Sequence, residues 1–299
     1  MKDFKQKVVD EMKKRYPEAD IEVVEITKTN YSYSGLTIRT PGENVAPTID
    51  LDVLEKEAER DGMDFDQVIA ALENTYQNAI QEKVNVPEIS REFILEKVEL
   101  RLINPEYNEE LMRKVPFEKW QDLTCIPVVR LEDFTEGEAS ITITESMMQN
   151  MNLSMEELVE HAKENMKPEF LSMEAIVREI MMKEGAPEEI IDQMFQGDSE
   201  NLMFVVSNST RYFGAGVIEG NGFLEKIGDR LEDDFYIIPS SVHELIIIPV
   251  QGREYGPIQD MVKEVNATEV SPKDFLSNNV YKYDRELKEV ITCGKELTI

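Results

Sequence analysis

The chemically most suggestive stretch of the chain is Pro239–Glu244, in which two serines, a histidine and a glutamate lie close together. A serine hydrolase needs a histidine within hydrogen-bond reach of a serine hydroxyl, and an acid that orients the histidine. Strongly apolar runs on both sides predict strands, so a short loop would hold these side chains together. One interpretation is therefore a hydrolase whose catalytic residues all come from this loop: Ser240, Ser241, His243 and Glu244.

The same loop also has a structural interpretation, in which the serines cap a helical turn and His243 hydrogen-bonds the backbone or Glu244. Triad members usually converge from separate loops, and the chain contains no G-x-S-x-G elbow. The sequence favours this structural role over catalysis, and catalysis over a metal role. The other histidine, His161, lies in a predicted helix between two glutamates and is expected at the surface.

Metal and cofactor sites find little support in the residue spacing. Two histidines and two distant cysteines, Cys125 and Cys293, cannot be arranged in a zinc-binding pattern. The acidic residues between Asp229 and Asp234 lack the order of a calcium loop. The glycines between Gly214 and Gly222 match neither nucleotide-binding pattern and are interpreted as turn and bulge glycines. The sequence predicts no metal and no cofactor.

Charge is the strongest compositional signal in the chain. The 299 residues include 61 acids and 32 bases, for a formal net charge of −29. Residues 51–200 hold 36 of the acids and 14 of the bases, so this stretch carries −22. Phosphate binding requires lysine and arginine, so neither free nucleic acid nor an anionic membrane is an expected partner. A basic protein is the expected specific partner, and a merely solvated surface is the alternative.

The remaining composition predicts a cytoplasmic protein. The longest strongly apolar run, Leu245–Ile248, is far shorter than the roughly 18 residues of a membrane span. Basic residues near the N-terminus are not followed by the apolar segment of a signal peptide. Two cysteines that lie far apart are interpreted as reduced thiols.

Hydrophobic periodicity predicts an α+β fold in which strand pairs are each followed by helices. Residues 21–26 and 32–39 indicate a hairpin, and Asp64 begins a later helix with Gln67 at the spacing of a capping box. A second strand pair, 123–131 with 139–144, precedes a helix. This helix begins at Ser154, with Glu157 as its capping partner. The repeated pattern indicates either an ancient duplication or convergence on good capping chemistry.

The middle of the chain is predicted to be helical and the C-terminal part to be mixed α/β. Helices are expected at 172–183 and 187–195, and strands at 202–206, 235–238 and 245–250, with a polar tail after Val265. A change of character near Gly197 suggests two domains, 1–197 and 198–299, with one compact unit as the alternative.

Methionines gather in the helical middle, between Met147 and Met203. Methionine fills irregular cores, but it is also favoured on adaptable binding surfaces. The helices between Asn150 and Gly197 are therefore either part of the core or a groove for a partner, and they coincide with the most acidic part of the chain.

A series of short motifs extends over essentially the whole chain: Lys28–Asn30, Gly35–Ile38, Pro47–Ile49, Leu102–Asn104, Val115–Pro116, Asp122–Leu123, Val206–Asn208, Gly214–Ala215, Pro239–Glu244 and Val265–Val270. This ordered set resembles a bacterial family, domain of unknown function 5688. Two positions depart from the family pattern, since Phe117 stands where a histidine is common and Asp50 where a tyrosine is usual. The resemblance implies cargo of accessory bacterial genomes and brings no established activity.

Three functional hypotheses follow. The first is a non-catalytic, acidic interaction or regulatory protein that binds a basic protein partner. The second is the hydrolase described above. The third is a DNA mimic or anti-defence protein of a mobile element, which would need carboxylates spaced like duplex phosphates. The oligomeric state is not indicated by the sequence.

Overall fold

The computed structural model describes residues 4–42, 46–81, 87–131, 139–195 and 203–294. Contacts between residues group the chain into an N-terminal unit, Met1–Glu88, and a C-terminal unit, Ile89–Ile299. The boundary expected at Gly197 lies outside the described residues. Strands on either side of it pair within one sheet of the C-terminal unit, so the compact units divide the chain at a different place.

The N-terminal unit is a three-stranded antiparallel sheet with three helices: α1 (Phe4–Arg15), β1 (Asp20–Lys28), β2 (Tyr31–Arg39), β3 (Thr48–Asp50), α2 (Leu51–Asp61) and α3 (Phe65–Gln81). The predicted hairpin is confirmed, because β1 and β2 pair along their full length. The capping box is also present, since Asp64 and Gln67 exchange two backbone-to-side-chain hydrogen bonds of 2.9 Å. Asp50 caps α2 by accepting the N–H groups of Asp52 and Val53.

The C-terminal unit contains the remaining helices and strands: α4 (Arg91–Lys97), β4 (Val98–Ile103), α5 (Glu109–Met112), β5 (Glu118–Trp120), β6 (Leu123–Leu131), β7 (Ala139–Thr142), α6 (Glu145–Met151), α7 (Met155–Asn165), β8 (Glu169–Ser172), α8 (Met173–Lys183), α9 (Glu188–Met194), β9 (Phe204–Ser207), α10 (Phe223–Leu231), β10 (Phe235–Ile238), β11 (Leu245–Pro249), α11 (Tyr255–Thr268), β12 (Tyr281–Asp284) and β13 (Glu289–Thr292). Short 3-10 helices form at Glu106–Asn108 and Gly214–Glu219.

Two antiparallel sheets organise the C-terminal unit. In the larger sheet the strand order is β13-β12-β10-β11-β9-β8. In the smaller sheet β6 is central, with β4 paired to it on one side and β5 and β7 on the other. Side chains from both sheets and from α7 and α10 form one buried core, which includes Leu102, Leu158, Ile227 and Phe235. The α+β prediction is confirmed.

The largest difference from the sequence prediction concerns the expected polar tail. Residues 281–284 and 289–292 are the strands β12 and β13, and Tyr281 and Tyr283 point into the core with 0% and 2% exposure. Strand β12 pairs with β10, which lies far away along the chain, so local periodicity carries little signal for it. Alternation of these tyrosines with Lys282 and Asp284 is the one local sign of a strand.

Candidate functional site

The serine-rich loop between β10 and β11 is held by its own backbone. The hydroxyl of Ser241 accepts the backbone N–H of His243 at 3.1 Å, and the N–H of Ser241 donates to the carbonyl of Glu244 at 3.2 Å. These bonds close a tight turn of the kind that serine side chains favour. Ser241 therefore acts on the turn that presents His243, and its hydroxyl is directed at the backbone.

Both ring nitrogens of His243 are hydrogen-bonded to partners distant in sequence. Its Nδ1 accepts the backbone N–H of Phe213 at 3.0 Å, and its Nε2 lies 3.2 Å from Oδ1 of Asp274. Because Nδ1 accepts a hydrogen bond, the ring proton of the neutral imidazole is on Nε2, where it donates to the carboxylate. Neither nitrogen is left to deprotonate a serine hydroxyl in this arrangement.

The loop Ser207–Gly214 packs directly against the backbone of His243. The carbonyl of His243 accepts the hydroxyl of Ser207 at 2.7 Å and the N–H of Gly214 at 3.1 Å. A methyl group on Gly214 would lie 2.6 Å from the backbone nitrogen of Asn208, so this approach requires glycine. We call these contacts, together with those of Phe213 and Asp274, the His243 junction.

Phe213 is a strained residue of the junction. Its backbone has the left-handed conformation (φ 49°, ψ 32°), which is unusual for a bulky side chain. Its ring lies beneath the guanidinium of the buried Arg101, whose Cζ is 3.7 Å from the ring centroid. This cation–π contact and the hydrogen bond to His243 hold the strained conformation in place.

The four residues of the proposed hydrolase site make different contacts in the structure. Among the hydrogen bonds of the described residues, none joins the His243 imidazole to Ser240, Ser241 or Glu244. Ser240 lines a small apolar cavity beside α11, and His243 is not part of that cavity. The acid that contacts the imidazole is Asp274, which the sequence placed in a polar tail. The hydrolase thus remains a prediction, because it requires a hydrogen bond between the His243 imidazole and a serine hydroxyl that this arrangement does not contain.

Two open cavities flank the exposed ring of Phe117, with volumes of about 430 and 610 Å³. Asp122 lies in the wall of the larger one, and its carboxylate accepts hydrogen bonds from Ser277 (3.0 Å), Asn279 (2.8 Å) and Tyr281 (2.9 Å). Burial, followed by the nearby Asp122, raises the pKa of Tyr281 well above its ordinary value, so the hydroxyl remains a donor. Asp122 is therefore a structural acceptor that joins β6 to the segment before β12.

The helices α8 and α9 form a hairpin with an uncovered apolar surface. Of the six apolar side chains of α8 other than alanine, four are half-buried, and the other two, Ile180 and Met182, are 46% and 54% exposed. On α9, Ile191 is fully buried, whereas Ile190 and Met194 are 52% and 57% exposed. We call Ile180, Met182, Ile190 and Met194 the hairpin surface.

The hairpin is nevertheless well defined. Arg178 on α8 binds Asp192 on α9 at 2.6 Å, and its guanidinium also contacts the ring of Phe195. Gly185 ends the first helix in the left-handed conformation (φ +83°), and its N–H donates to the carbonyl of Met182. The exposure of the hairpin surface therefore belongs to a folded element.

The methionines of the helical middle divide into two groups. Met166 is buried, and Met147, Met148 and Met151 pack against the core of the C-terminal unit. Met182 and Met194 lie on the hairpin surface. The core interpretation is therefore confirmed for the first group, and the partner groove stays a prediction for the second.

Within the described ranges, no group of three or more His, Cys, Asp or Glu side chains is placed to hold a metal ion. Burial raises the pKa of the Cys125 thiol well above its ordinary value, and burial also raises the pKa of Cys293. In the described part of the chain, no helix has the length and apolar character needed to cross a bilayer.

Together these features define an acidic α+β protein with a histidine fixed in a structural junction and a helical hairpin whose apolar surface is uncovered. The chain matches the family of unknown function DUF5688 over residues 1–285, and it belongs to that family. The resemblance of its motifs is thereby confirmed. No curated protein and no solved structure matches the chain.

Proposed function

We propose that this protein is a non-catalytic interaction protein of the cytoplasm that binds a basic protein partner through the hairpin surface. The observation that carries the proposal is the state of α8. Amphipathic helices of globular proteins bury their apolar stripe, but no apolar side chain of α8 is fully buried, and Ile180 and Met182 are exposed. Exposed apolar side chains on a folded helix pair are typical of a protein interaction site.

Charge around the hairpin supports a basic partner. Glu184, Glu188 and Glu189 are exposed at the turn between the helices, and no ion pair among the described residues includes them. An apolar centre with an acidic rim complements a surface that carries leucine-like side chains flanked by lysine or arginine. A nucleic acid, an anionic lipid surface and a second copy of this acidic chain would all be repelled.

The methionines suit such a partner. Met182 and Met194 are unbranched and polarizable, so they adapt to apolar side chains of different shape. An amphipathic helix laid on α8 and α9 would find these side chains at its centre and the glutamates at its edge. The two free cysteines are consistent with a reducing compartment.

A synthetic peptide provides a direct test. The probe is a fluorescent helix of leucine and lysine with its leucines on one face, compared with an isomer of the same composition in scrambled order. Measured by fluorescence anisotropy at about 0.15 M salt, the amphipathic peptide should bind about tenfold more tightly than the scrambled one. Equal affinity for the two peptides would mean that only net charge is recognised, and it would refute the proposal.

A charge-matched pair of variants locates the interaction. Met182→Glu adds a negative charge to the hairpin surface, and Leu287→Glu adds the same charge at the 67% exposed turn between β12 and β13. Electrostatics alone would make both variants bind the cationic peptide more tightly. Loss of apolar contact should instead weaken binding to Met182→Glu by about tenfold and leave Leu287→Glu close to wild type.

A further inference from the structure

A long edge strand borders the sheet of the N-terminal unit. Strand β1 has nine residues and pairs with β2 along one side, and within the described residues no strand lies on its other side. Glu22, Val23 and Glu25 are exposed along it. Edge strands are usually short or covered, because their free backbone groups pair readily with another strand. A further strand would therefore extend this sheet at β1.

The hydrogen bonds on the far side of β2 show which residues of β1 face the free edge. Ile38 of β2 donates its N–H to the carbonyl of Pro47 at 3.2 Å, on the side of β3. Since successive residues of a strand bond to opposite neighbours, the odd-numbered residues of β2 bond to β1. Their partners are the even-numbered residues of β1, such as Val24 opposite Gly35. The residues of β1 that direct N–H and C=O away from β2 are Ile21, Val23, Glu25 and Thr27.

These four residues have backbone groups that a matching strand would satisfy. In the described part of the chain, no backbone hydrogen bond joins any of them to another segment. The two residues of a hydrogen-bonded antiparallel pair direct their backbone groups at each other. In a two-fold symmetric pairing of two β1 strands, odd-numbered residues must therefore lie opposite odd-numbered ones, and the residue on the axis lies opposite itself.

Charge selects one register of such a pairing. With Val24 opposite Val24 of the second copy, all nine residues of β1 are paired, and Asp20 lies opposite Lys28 at both ends. Opposite charges that face each other across strands stabilise the pair. In the described residues no ion pair within one copy includes Lys28, so its ammonium group is available to the second copy.

The neighbouring registers are less favourable. Pairing centred on Glu22 or on Glu25 places two like charges directly opposite each other, which destabilises a strand pair. Pairing centred on Val23 leaves Lys28 beyond the end of the second strand. Registers farther from the middle of β1 pair fewer residues.

The net charge of −29 does not oppose this contact, because the charge is unevenly distributed. Residues 1–39, which include β1, contain eight bases and seven acids, so this segment carries +1 and the rest of the chain carries −30. Exposed charges more than about 8 Å apart are largely screened at physiological salt. A second copy is therefore repelled at the acidic hairpin but not at β1.

We propose that β1 pairs in antiparallel fashion with β1 of a second copy, in a two-fold symmetric dimer whose N-terminal sheets join into one sheet of six strands. Val24 lies on the two-fold axis, and Asp20 and Lys28 close both ends of the pairing. The contact is independent of the hairpin surface and of any partner bound there. Nine residue pairs make a small interface, so we expect a dissociation constant on the order of 10–100 µM.

Cysteine cross-linking of the full chain tests the register. Val24→Cys places a cysteine opposite itself in a pair without hydrogen bonds, where Cα atoms lie about 4.5 Å apart, within the range of a disulfide. Glu22→Cys lies on the same face, but the two copies of this cysteine are offset by four residues, or about 13 Å. Under mild oxidation Val24→Cys should dimerise at least about tenfold faster than Glu22→Cys. The wild type, with Cys125 and Cys293, gives the background rate.

The more exposed cysteine would react faster if the copies met at random. Glu22 is exposed and Val24 is half-buried, so exposure alone predicts the reverse order of rates. Faster linking of Glu22→Cys, or equal rates for the two variants, would overturn the register.

A proline tests the backbone pairing. Val23→Pro removes an N–H that faces the free edge, so the bonds between β1 and β2 are retained. The dimer dissociation constant, measured by sedimentation velocity between about 1 and 500 µM protein, should rise at least about tenfold. Val23→Ala, which keeps the N–H, should change it by less than about threefold. A wild type that is monomeric throughout, or a dimer that is equally stable with proline and with alanine, would overturn the proposal.

Two glutamates make a charge-matched pair of variants with opposite expected effects. In the proposed register Glu22 lies diagonal to Lys28 of the second copy, whereas Glu25 lies diagonal to Glu25, each at about 7–8 Å. Glu22→Gln should therefore weaken the dimer about twofold, and Glu25→Gln should strengthen it about twofold. Net charge alone predicts that both variants strengthen the dimer, and that result would overturn the register.

Discussion

The His243 junction and the α8–α9 hairpin differ in how completely their side chains are paired with other parts of the protein. In the junction, every group that could do chemistry is bonded to a structural partner: the imidazole to Phe213 and Asp274, and the His243 carbonyl to Ser207 and Gly214. In the hairpin, polar contacts such as Arg178–Asp192 are made, but the four apolar side chains of the hairpin surface are not covered.

The difference shows where function should be sought in this protein. Catalysis requires a reactive group that is held in place yet free to react, and the junction leaves His243 without a free nitrogen. Binding requires apolar surface that is folded before the partner arrives, and the hairpin supplies it. His243, which looked most chemical in the sequence, is hydrogen-bonded within the fold, whereas four apolar residues of the hairpin remain exposed.

Gly216→Ala has the largest expected effect and tests how tightly the protein is packed next to the His243 junction. Gly216 lies in the 3-10 helix next to the junction, and a methyl group there would overlap the backbone carbonyl of Leu100. Backbone on both sides cannot move aside easily, so we expect a loss of more than about 3 kcal/mol in the free energy of unfolding. Urea denaturation measures this loss in the free energy of unfolding.

The matched control is Gly256→Ala, in α11, where an added methyl group meets no atom within 4 Å. Alanine is the better helix former, but Gly256 lies in the first turn directly before Pro257, where a Cβ disfavours helical backbone, so this variant should change the free energy of unfolding by less than about 1 kcal/mol. Similar losses for the two variants would mean that the junction is no more tightly packed than the surface.

Ile191→Ala tests whether the hairpin is a folded element. Ile191 is fully buried while its neighbour Ile190 is 52% exposed, so the two side chains differ mainly in burial. Native-state hydrogen exchange should show that the opening free energy of the α8 and α9 amides falls by about 2–3 kcal/mol for Ile191→Ala. Ile190→Ala should change it by less than about 0.5 kcal/mol. Equal effects of Ile191→Ala and Ile190→Ala would show that the hairpin has no buried side.

His243→Ala separates a structural histidine from a catalytic one. The substitution leaves the Phe213 N–H without its acceptor, and we expect a loss of about 1.5 kcal/mol in unfolding free energy. His161→Ala, at a half-exposed position of α7, should cost less than about 0.5 kcal/mol. A fluorophosphonate probe should label neither wild type nor variant. If the probe labels the wild type and the His243→Ala substitution abolishes this labelling, the hydrolase hypothesis is supported.

Much of the fold could be predicted from local patterns, whereas the contacts of the candidate sites could not. Ser172 and Pro187 indicate where α8 and α9 begin, and both helices are confirmed. Periodicity identifies the apolar face of a helix, but it cannot tell whether another element covers that face. The partners of His243 lie 30 and 31 residues away along the chain, at Phe213 and Asp274, so its role depends on tertiary pairing that spacing does not reveal.

An ion pair between the hairpin and the junction provides the test with the smallest expected effect. Glu179 on α8 accepts a hydrogen bond from Arg211, which lies in the loop Ser207–Gly214, at 2.8 Å. Hydrogen bonds from Lys183, and then from Arg211, lower the pKa of Glu179 below its ordinary value of 4.5. A lowered pKa means that the stabilisation is complete above pH 4.5 and is lost as the pH falls through the folded-state value.

Glu179→Gln removes this titration and should therefore be slightly less stable than wild type at neutral pH, with the difference vanishing in acid. Glu184→Gln makes the same change in charge at an exposed position of the hairpin turn, so it controls for the net charge of −29. Urea denaturation of both variants against pH gives the comparison. If the Glu179→Gln curve runs parallel to that of wild type at every pH, the ion pair does not link the hairpin to the junction.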